Sequence, residues 1–261
     1  MTPLAAPRAV AERAESAPSL PPGDAERISG YGVMGLSFDS GDYLVLRCMT
    51  AASFGSGYRA IWHRSPAGEW TVYSTADPQH SCERYIGAAC SHPSTRTSIE
   101  VEWLDERTLH IRAGSILDWT VALHHTGVTR MFTLIGAAMP RAMWTSRFVL
   151  ALIGRMAGPM LGVGRVRLSG VMPNGQDFTA APVQIWAVGE SRATVEGRNL
   201  GAPQPLEAQT RIGGFWLPQH GIFMRGYGHF EAFDPARHVS AELRQNELLA
   251  AEGVIGQQGG R

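Results

Sequence analysis

The chain of 261 residues contains no lysine, and all 23 of its basic side chains are arginine. Arginine forms no Schiff base, so this absence excludes a Schiff-base nucleophile, a pyridoxal phosphate anchor and the lysine of a phosphate-binding loop. The 23 acidic residues balance the arginines and bring the formal net charge to zero. A chain without a net positive charge is not expected to bind nucleic acid.

Cysteine is scarce as well. Cys48, Cys82 and Cys90 form an odd number without the spacing of a metal site, so we expect buried free thiols and neither a metal nor a cofactor. Residues 1–29 are rich in Ala and Pro and lack the apolar run of a secretory signal. We therefore expect a mostly disordered tail over 1–29 and a cytoplasmic protein.

Acidic residues are absent from 119–176, although this stretch contains six arginines. Residues 139–164 within it, MPRAMWTSRFVLALIGRMAGPMLGVG, show apolar side chains on all sides when placed on a helix. This pattern predicts a central hydrophobic helical insert over 139–164. Only seven residues separate Arg147 from Arg155, too few to span a bilayer, and Gly158-Pro159 should end the helix.

Two interpretations of the arginines stay open. Their stems can cover apolar surface while their charges pair with acids elsewhere. Alternatively, an apolar and wholly cationic segment can contact a membrane surface with anionic lipid, or guide the anionic end of an apolar ligand.

Short, alternating, aromatic-rich segments make up most of the remaining chain. The clearest is a hairpin in which Tyr58–Arg64 and 69–74 flank the turn Ser65-Pro-Ala-Gly68. Roughly ten to thirteen such strands at short spacing predict an all-β sandwich or barrel over 30–234. Asp234-Pro235 has the signature of a helix start, which predicts a C-terminal helix over 235–252 and a flexible tail over 253–261.

Two groups of side chains are candidates for acid–base chemistry. His63 on the hairpin, with the phenols of Tyr73 and Tyr85, can move protons if its strand face lines a barrel interior; if Tyr58 and Trp62 face inward instead, His63 is a surface residue. Asp118 lies between apolar neighbours, and burial would raise its pKa. Strand alternation places Asp118 outside unless both faces are covered. The expected ligand-binding residues are Tyr58, Trp62, Arg84, Trp119, Arg147, Arg155, Trp186 and Arg225.

A third group, Arg225, Tyr227, His229 and Glu231, falls on one strand face by alternation. His229 and Glu231 are possible metal ligands, but the spacing indicates no third ligand, and a solvated strand face is the favoured interpretation.

The segments LDWTVAL at 117–123 and GRVRLSGVMPNGQDF at 164–178, followed by a strand ending in SRATVEGRNLG at 191–201, resemble the lipocalin-like β-barrel family of carotenoid 1,2-hydratases and related hydratases and cyclases. The resemblance implies an antiparallel lipocalin-like barrel, or a two-lobed barrel, with an apolar ligand inside. The acetoacetate decarboxylase type of β-barrel is similar in size, but its mechanism uses a lysine.

These observations lead to three hypotheses. The first is a cofactor-independent acid–base enzyme, such as a hydratase, cyclase or isomerase, that acts on a hydrophobic small molecule in a barrel cavity under the insert. The second is a carrier or sensor that uses the same cavity without catalysis. The third is a peripheral membrane protein that docks through 139–164; it should expose Phe148, Leu152 and Met156.

Overall fold

The computed structural model describes residues 4–258. Its helices are α1 (Pro7–Ser16), α2 (Glu83–Ile86), α3 (Gly127–Ala138), α4 (Arg147–Leu161) and α5 (Ala241–Gln258), with short 3-10 turns at Pro78–His80, Gly87–Ala89 and Arg141–Thr145. Its strands are β1 (Glu26–Val33), β2 (Leu36–Ser37), β3 (Tyr43–Ala52), β4 (Tyr58–Arg64), β5 (Trp70–Ser74), β6 (Thr95–Arg96), β7 (Glu100–Trp103), β8 (Thr108–Ala113), β9 (Leu117–His124), β10 (Ser169–Val171), β11 (Asp177–Val195), β12 (Arg198–Asn199), β13 (Arg211–Ile212), β14 (Phe215–Trp216) and β15 (Ile222–Phe230).

One large sheet contains most of these strands, in the order β6-β5-β4-β3-β1-β15-β11-β9-β8-β7. The pairs are antiparallel except β5 with β6. Short strands β2, β10 and β12 pair at the sides of β3 and β11, and β13 pairs only with β14. The two end strands, β6 and β7, follow each other directly in the chain, so the segment 95–103 links the two edges of the sheet.

The sheet is strongly curled. Trp103 on β7 and Phe223 on β15 are four strands apart, which in a flat sheet is roughly 19 Å at the usual strand spacing. Their ring centroids are nevertheless only 6.0 Å apart. The two edges of the sheet also approach each other, because Arg59 on β4 donates a hydrogen bond of 3.1 Å to the carbonyl of Ile99, just before β7. The chain is therefore mostly β and barrel-like, as the strand pattern predicts.

One face of the sheet, called here the core face, is filled with side chains. Trp119, Trp186 and Phe223 are buried in its cluster, so Trp119 and Trp186, which were expected to bind ligand, pack in the protein core instead. Helix α1 adds Val10 and Ala11 to the same cluster. The expectation of a disordered tail over 1–29 is therefore wrong for 7–16, because small and branched side chains at helical spacing give this segment an apolar face that the core face buries.

The other face, called here the pocket face, supports a second apolar cluster from β3, β4 and β5, covered by α2 and the segments around β10, β13 and β14. Helices α3 and α4 pack beside β11 and β10. The helical region thus begins at 127 rather than 139. Helix α4 continues through Pro159 to Leu161 and ends where Gly162 adopts a left-handed φ of 68°, since a proline near the end removes only one backbone donor.

The C-terminal helix begins at Ala241, not at 235. Asp234 instead closes a local turn, in which its carboxylate accepts from the amide of Ala236 and its carbonyl from that of His238. The helix continues to Gln258, whereas the sequence predicts its end at 252 and a flexible tail over 253–261, of which the last three residues lie outside the described part. Within 4–258, no helix is long and apolar enough to cross a membrane.

Candidate ligand-binding site

Two adjoining apolar pockets lie on the pocket face. The first, under α3 and α4, has a cavity volume of about 110 Å³. The second continues along β1, β15 and β3 and has a cavity volume of about 100 Å³. Met34, Ala180, Phe215 and Met224 line both pockets. Each pocket is smaller than the roughly 300–1,000 Å³ typical of a site for a drug-sized molecule, so a slender apolar ligand would extend through both.

Glycines leave space on the floor of the second pocket. On β1 the pocket-face positions include Gly30 and Gly32, and on β15 they include Gly226 and Gly228. Gly30 pairs directly with Gly226, and Ile28 pairs with Gly228. A Cβ at Gly30 would lie 2.1 Å from the carbonyl oxygen of Cys48. The glycines therefore permit close strand approach and also leave the floor without side chains.

Among the described residues, one cationic side chain lines the second pocket. Arg47 lies on the pocket face of β3, between Val45 and Met49, and it lines the pocket. Its guanidinium lies 4.6 Å from the ring centroid of Trp62 and donates a hydrogen bond to the sulfur of Met34. No carboxylate of the described residues pairs with it.

The charge state of this pocket follows from its burial. Burial lowers the pKa of Arg47, although the guanidinium keeps its charge at neutral pH. Burial raises the pKa of Tyr58 well above its usual value and that of Cys82 to about 12. Cys82 also accepts a hydrogen bond of 2.9 Å from Trp62. The pocket therefore holds one positive charge among neutral phenols and a protonated thiol, which is not an activated nucleophile.

The structure places His63 in an ion-paired cluster rather than in either pocket. Its Nε2 lies 2.7 Å from an oxygen of Asp42, whose side chain is fully buried and also pairs with Arg198 at 2.8 Å. Burial alone would raise the pKa of Asp42, but the hydrogen bonds from Arg198 and His63 outweigh burial and lower this pKa to about 2. Tyr73 is half-buried beside the core face.

The remaining acid–base candidates, Asp118 and Tyr85, lie at separate places and do not form one catalytic group with His63. Asp118 is 59% exposed and pairs with His110 at 3.1 Å across β8 and β9. Tyr85 does line the second pocket, but its hydroxyl donates to Glu26 at 2.9 Å. Arg84 forms a two-pronged ion pair with the same Glu26.

The expected ligand-binding residues divide into two groups. Tyr58 and Trp62 line the second pocket. The others do not line either apolar pocket: Trp119 and Trp186 lie in the core-face cluster, Arg147 pairs with Asp177, Arg155 is exposed, Arg84 binds Glu26, and Arg225 donates to the hydroxyl of Tyr227.

A metal site is not formed by the third sequence group. Glu231 pairs with Arg237 at 2.7 Å, and His229 forms no ion pair within the described residues, where its Nδ1 has no hydrogen-bond partner. Throughout 4–258, no three His, Cys, Asp or Glu side chains are grouped so that they could hold a metal ion.

Arg47 and the glycine floor were not identified from the sequence, although each left a signal. Arg47 is the one charged residue within the run YLVLRCM at 43–49, where a strand buried on both faces should be apolar throughout. The two Gly-x-Gly spacings, at 30–32 and 226–228, mark strand faces without side chains.

Comparisons with known proteins do not identify a family for this chain. No family model matches the chain, and no curated protein matches it. Among solved structures, an acetoacetate decarboxylase from Legionella pneumophila is similar over 92% of this chain and 97% of its own, at 10% identity and a TM-score of 0.34. At these values the similarity describes only a coarse course of the backbone.

Proposed function

We propose that the chain binds a hydrophobic molecule with one anionic group, as a carrier or sensor. The tail of this ligand occupies the two pockets, and its carboxylate or other anion meets Arg47. The observation on which the proposal rests is a half-buried cation that lines an apolar pocket and has no counter-ion among the described residues. A charge that is partly withdrawn from water without a counter-ion costs stability, so a ligand that neutralises it gains binding free energy.

The lining also supports binding rather than acid–base chemistry. Neither pocket is lined by an Asp, Glu or His of the described residues, and these are the usual general acids and bases. The hydratase, cyclase or isomerase hypothesis stays a prediction from the sequence, and none of its catalytic candidates except Tyr85 lines the pockets.

The test uses cis-parinaric acid, a fluorescent fatty acid, and its uncharged methyl ester. Trp62 lines the second pocket and Trp144 the first, so energy transfer from tryptophan reports binding. A hydrogen bond to a charged group contributes about 1.5–3 kcal/mol, which corresponds to roughly 10–100-fold tighter binding of the acid.

A variant that fills the pocket gives a second test of the proposal. Ala180 lines both pockets, so Ala180→Phe should abolish binding. Ala122→Phe on β9 adds the same side chain outside the pocket lining and should leave binding unchanged. Equal affinity for acid and ester would contradict the role of Arg47, and unchanged binding in Ala180→Phe would contradict the location.

A further inference from the structure

Helix α4 has a second apolar face that the fold leaves uncovered. Leu150 and Ala157 are buried against the body, whereas Phe148 is 80% exposed and Leu152 and Met156 are 52% exposed each. Their spacing of four residues places them in one row along the helix; Met160, 41% exposed, continues it. We call this row, 148, 152, 156 and 160, the exposed stripe.

An arginine-lined groove runs beside the exposed stripe. It lies between α4 and the segment 162–169, and Arg155, Arg165 and Arg167 line it together with Gln209. All three arginines are exposed, and none pairs with an acid of the described residues. The guanidinium of Arg165 lies 5.2 Å from the ring centroid of Trp216, which holds it at the surface. No Asp or Glu within residues 4–258 lines the groove.

Two helix glycines fix the position of the groove against the stripe. A Cβ at Gly154 would lie 2.7 Å from the carbonyl oxygen of Val166, and one at Gly158 would lie 2.2 Å from that of Gly164. The backbone of 164–167 is therefore in direct contact with α4. Because of this contact, the arginines stay next to the stripe.

We propose that this surface docks on a membrane that contains anionic phospholipid. The exposed stripe enters the boundary between headgroups and acyl chains, and the three arginines of the groove bind headgroup phosphates, as in an interfacial amphipathic helix. The charge distribution selects this partner over a second copy of the chain. The absence of acids throughout 119–176 means that two copies meeting here would bring like charges together.

Vesicle co-sedimentation tests the electrostatic part. A basic residue near an anionic surface contributes about 1 kcal/mol, so changing Arg155, Arg165 and Arg167 to Gln should lower binding to phosphatidylserine-containing vesicles roughly 100-fold. The matched control changes three exposed arginines elsewhere to Gln, which are Arg13, Arg107 and Arg192. This control has the same net charge as the groove variant and should alter vesicle binding less than about twofold. Neutral phosphatidylcholine vesicles should bind the parent weakly.

The apolar part has its own variants. Phe148→Ala with Leu152→Ala should weaken vesicle binding and leave unfolding unchanged, because both side chains are already exposed. Leu104→Ala with Leu243→Ala, also exposed, is the matched control.

Four results would overturn the proposal. They are no sedimentation of the parent with anionic vesicles, equal loss in the two arginine trios, a stripe-dependent dimer without vesicle binding, and binding of inorganic phosphate without vesicle binding. Arg165 and Arg167 also line the first pocket, so cis-parinaric acid binding is measured in parallel. If the variant of Arg155, Arg165 and Arg167 loses vesicle binding but still binds cis-parinaric acid, these arginines contact the membrane and do not contribute to ligand binding in the pockets.

Discussion

Arg47→Met is expected to stabilise the chain while weakening ligand binding. The effective penalty for a fully buried ion is several kcal/mol, and Arg47, which is half-buried, bears part of it. In the native protein the guanidinium recovers about 2 kcal/mol from the ring of Trp62, 4.6 Å away, and little from the sulfur of Met34. Methionine keeps an unbranched apolar side chain in the pocket. The net expectation is a gain of about 1 kcal/mol in the free energy of unfolding.

Urea denaturation without ligand measures this gain, and thermal unfolding should show a midpoint higher by roughly 2–4 °C per kcal/mol for a chain of this size. The affinity for cis-parinaric acid should fall roughly 10–100-fold, with little change for the ester. Arg59→Met is the matched control on the neighbouring strand. Arg59 has partners, the carbonyl of Ile99 at 3.1 Å and Glu15 at 3.3 Å, so its loss should cost about 1 kcal/mol and leave the affinity unchanged.

Destabilisation by Arg47→Met as large as that by Arg59→Met would show that the Arg47 guanidinium carries no uncompensated desolvation cost. A stabilised Arg47→Met variant that still prefers the acid over the ester would show that Arg47 lacks a counter-ion but does not bind the ligand anion.

Two further predictions concern stability. Burial raises the pKa of Glu83 to about 7, so the folded state keeps a proton that the unfolded state loses above the usual pKa of 4.5. Stability therefore falls as the pH rises between these two values, and Glu83→Gln should raise the free energy of unfolding by about 3 kcal/mol at pH 8 and leave it unchanged at pH 4. Urea denaturation measures this difference with the exposed Glu247→Gln as a neutral control, and an equal effect at both pH values would contradict the prediction. Gly158→Ala places a Cβ 2.2 Å from the carbonyl oxygen of Gly164 and should lower the free energy of unfolding by about 2 kcal/mol. The control Gly253→Ala adds a Cβ in open space on α5 and should raise the free energy of unfolding by up to about 1 kcal/mol. A stabilised Gly158→Ala variant would show that α4 is not in close contact with 164–167.

Local patterns predicted the hairpin of β4 and β5, β9 with Leu117, Trp119 and Val121 on one face, and a helix near 147–161, because alternation and helical spacing reflect burial on one side. They did not predict α1 or α3. The apolar residues of α1 are mostly alanine, so its mean hydropathy is low, and α3 begins only two residues after the apolar strand β9; neither helix is therefore set apart from its surroundings by hydropathy.

The candidate site divides in the same way. Tyr58 and Trp62 were expected in a ligand site and line the second pocket, because aromatic residues on a strand near turns commonly border cavities. His63 and Asp118 were expected to act in catalysis, yet each is paired with a partner from a different strand or loop. Such pairing depends on strand register, which the order of residues along one strand does not contain.

The sequence by itself determined the exclusions and the local character of the chain: no lysine chemistry, an acid-free cationic segment, a mostly β body and an apolar central helix. Each of these is a property of composition or of near neighbours. Only the tertiary structure decided which sheet face is solid and which is open, that Arg47 has no counter-ion within the described part of the chain, and that Arg155 lies beside Arg165 and Arg167. Those facts depend on contacts between residues far apart in the chain, and sheet curvature and strand pairing fix such contacts.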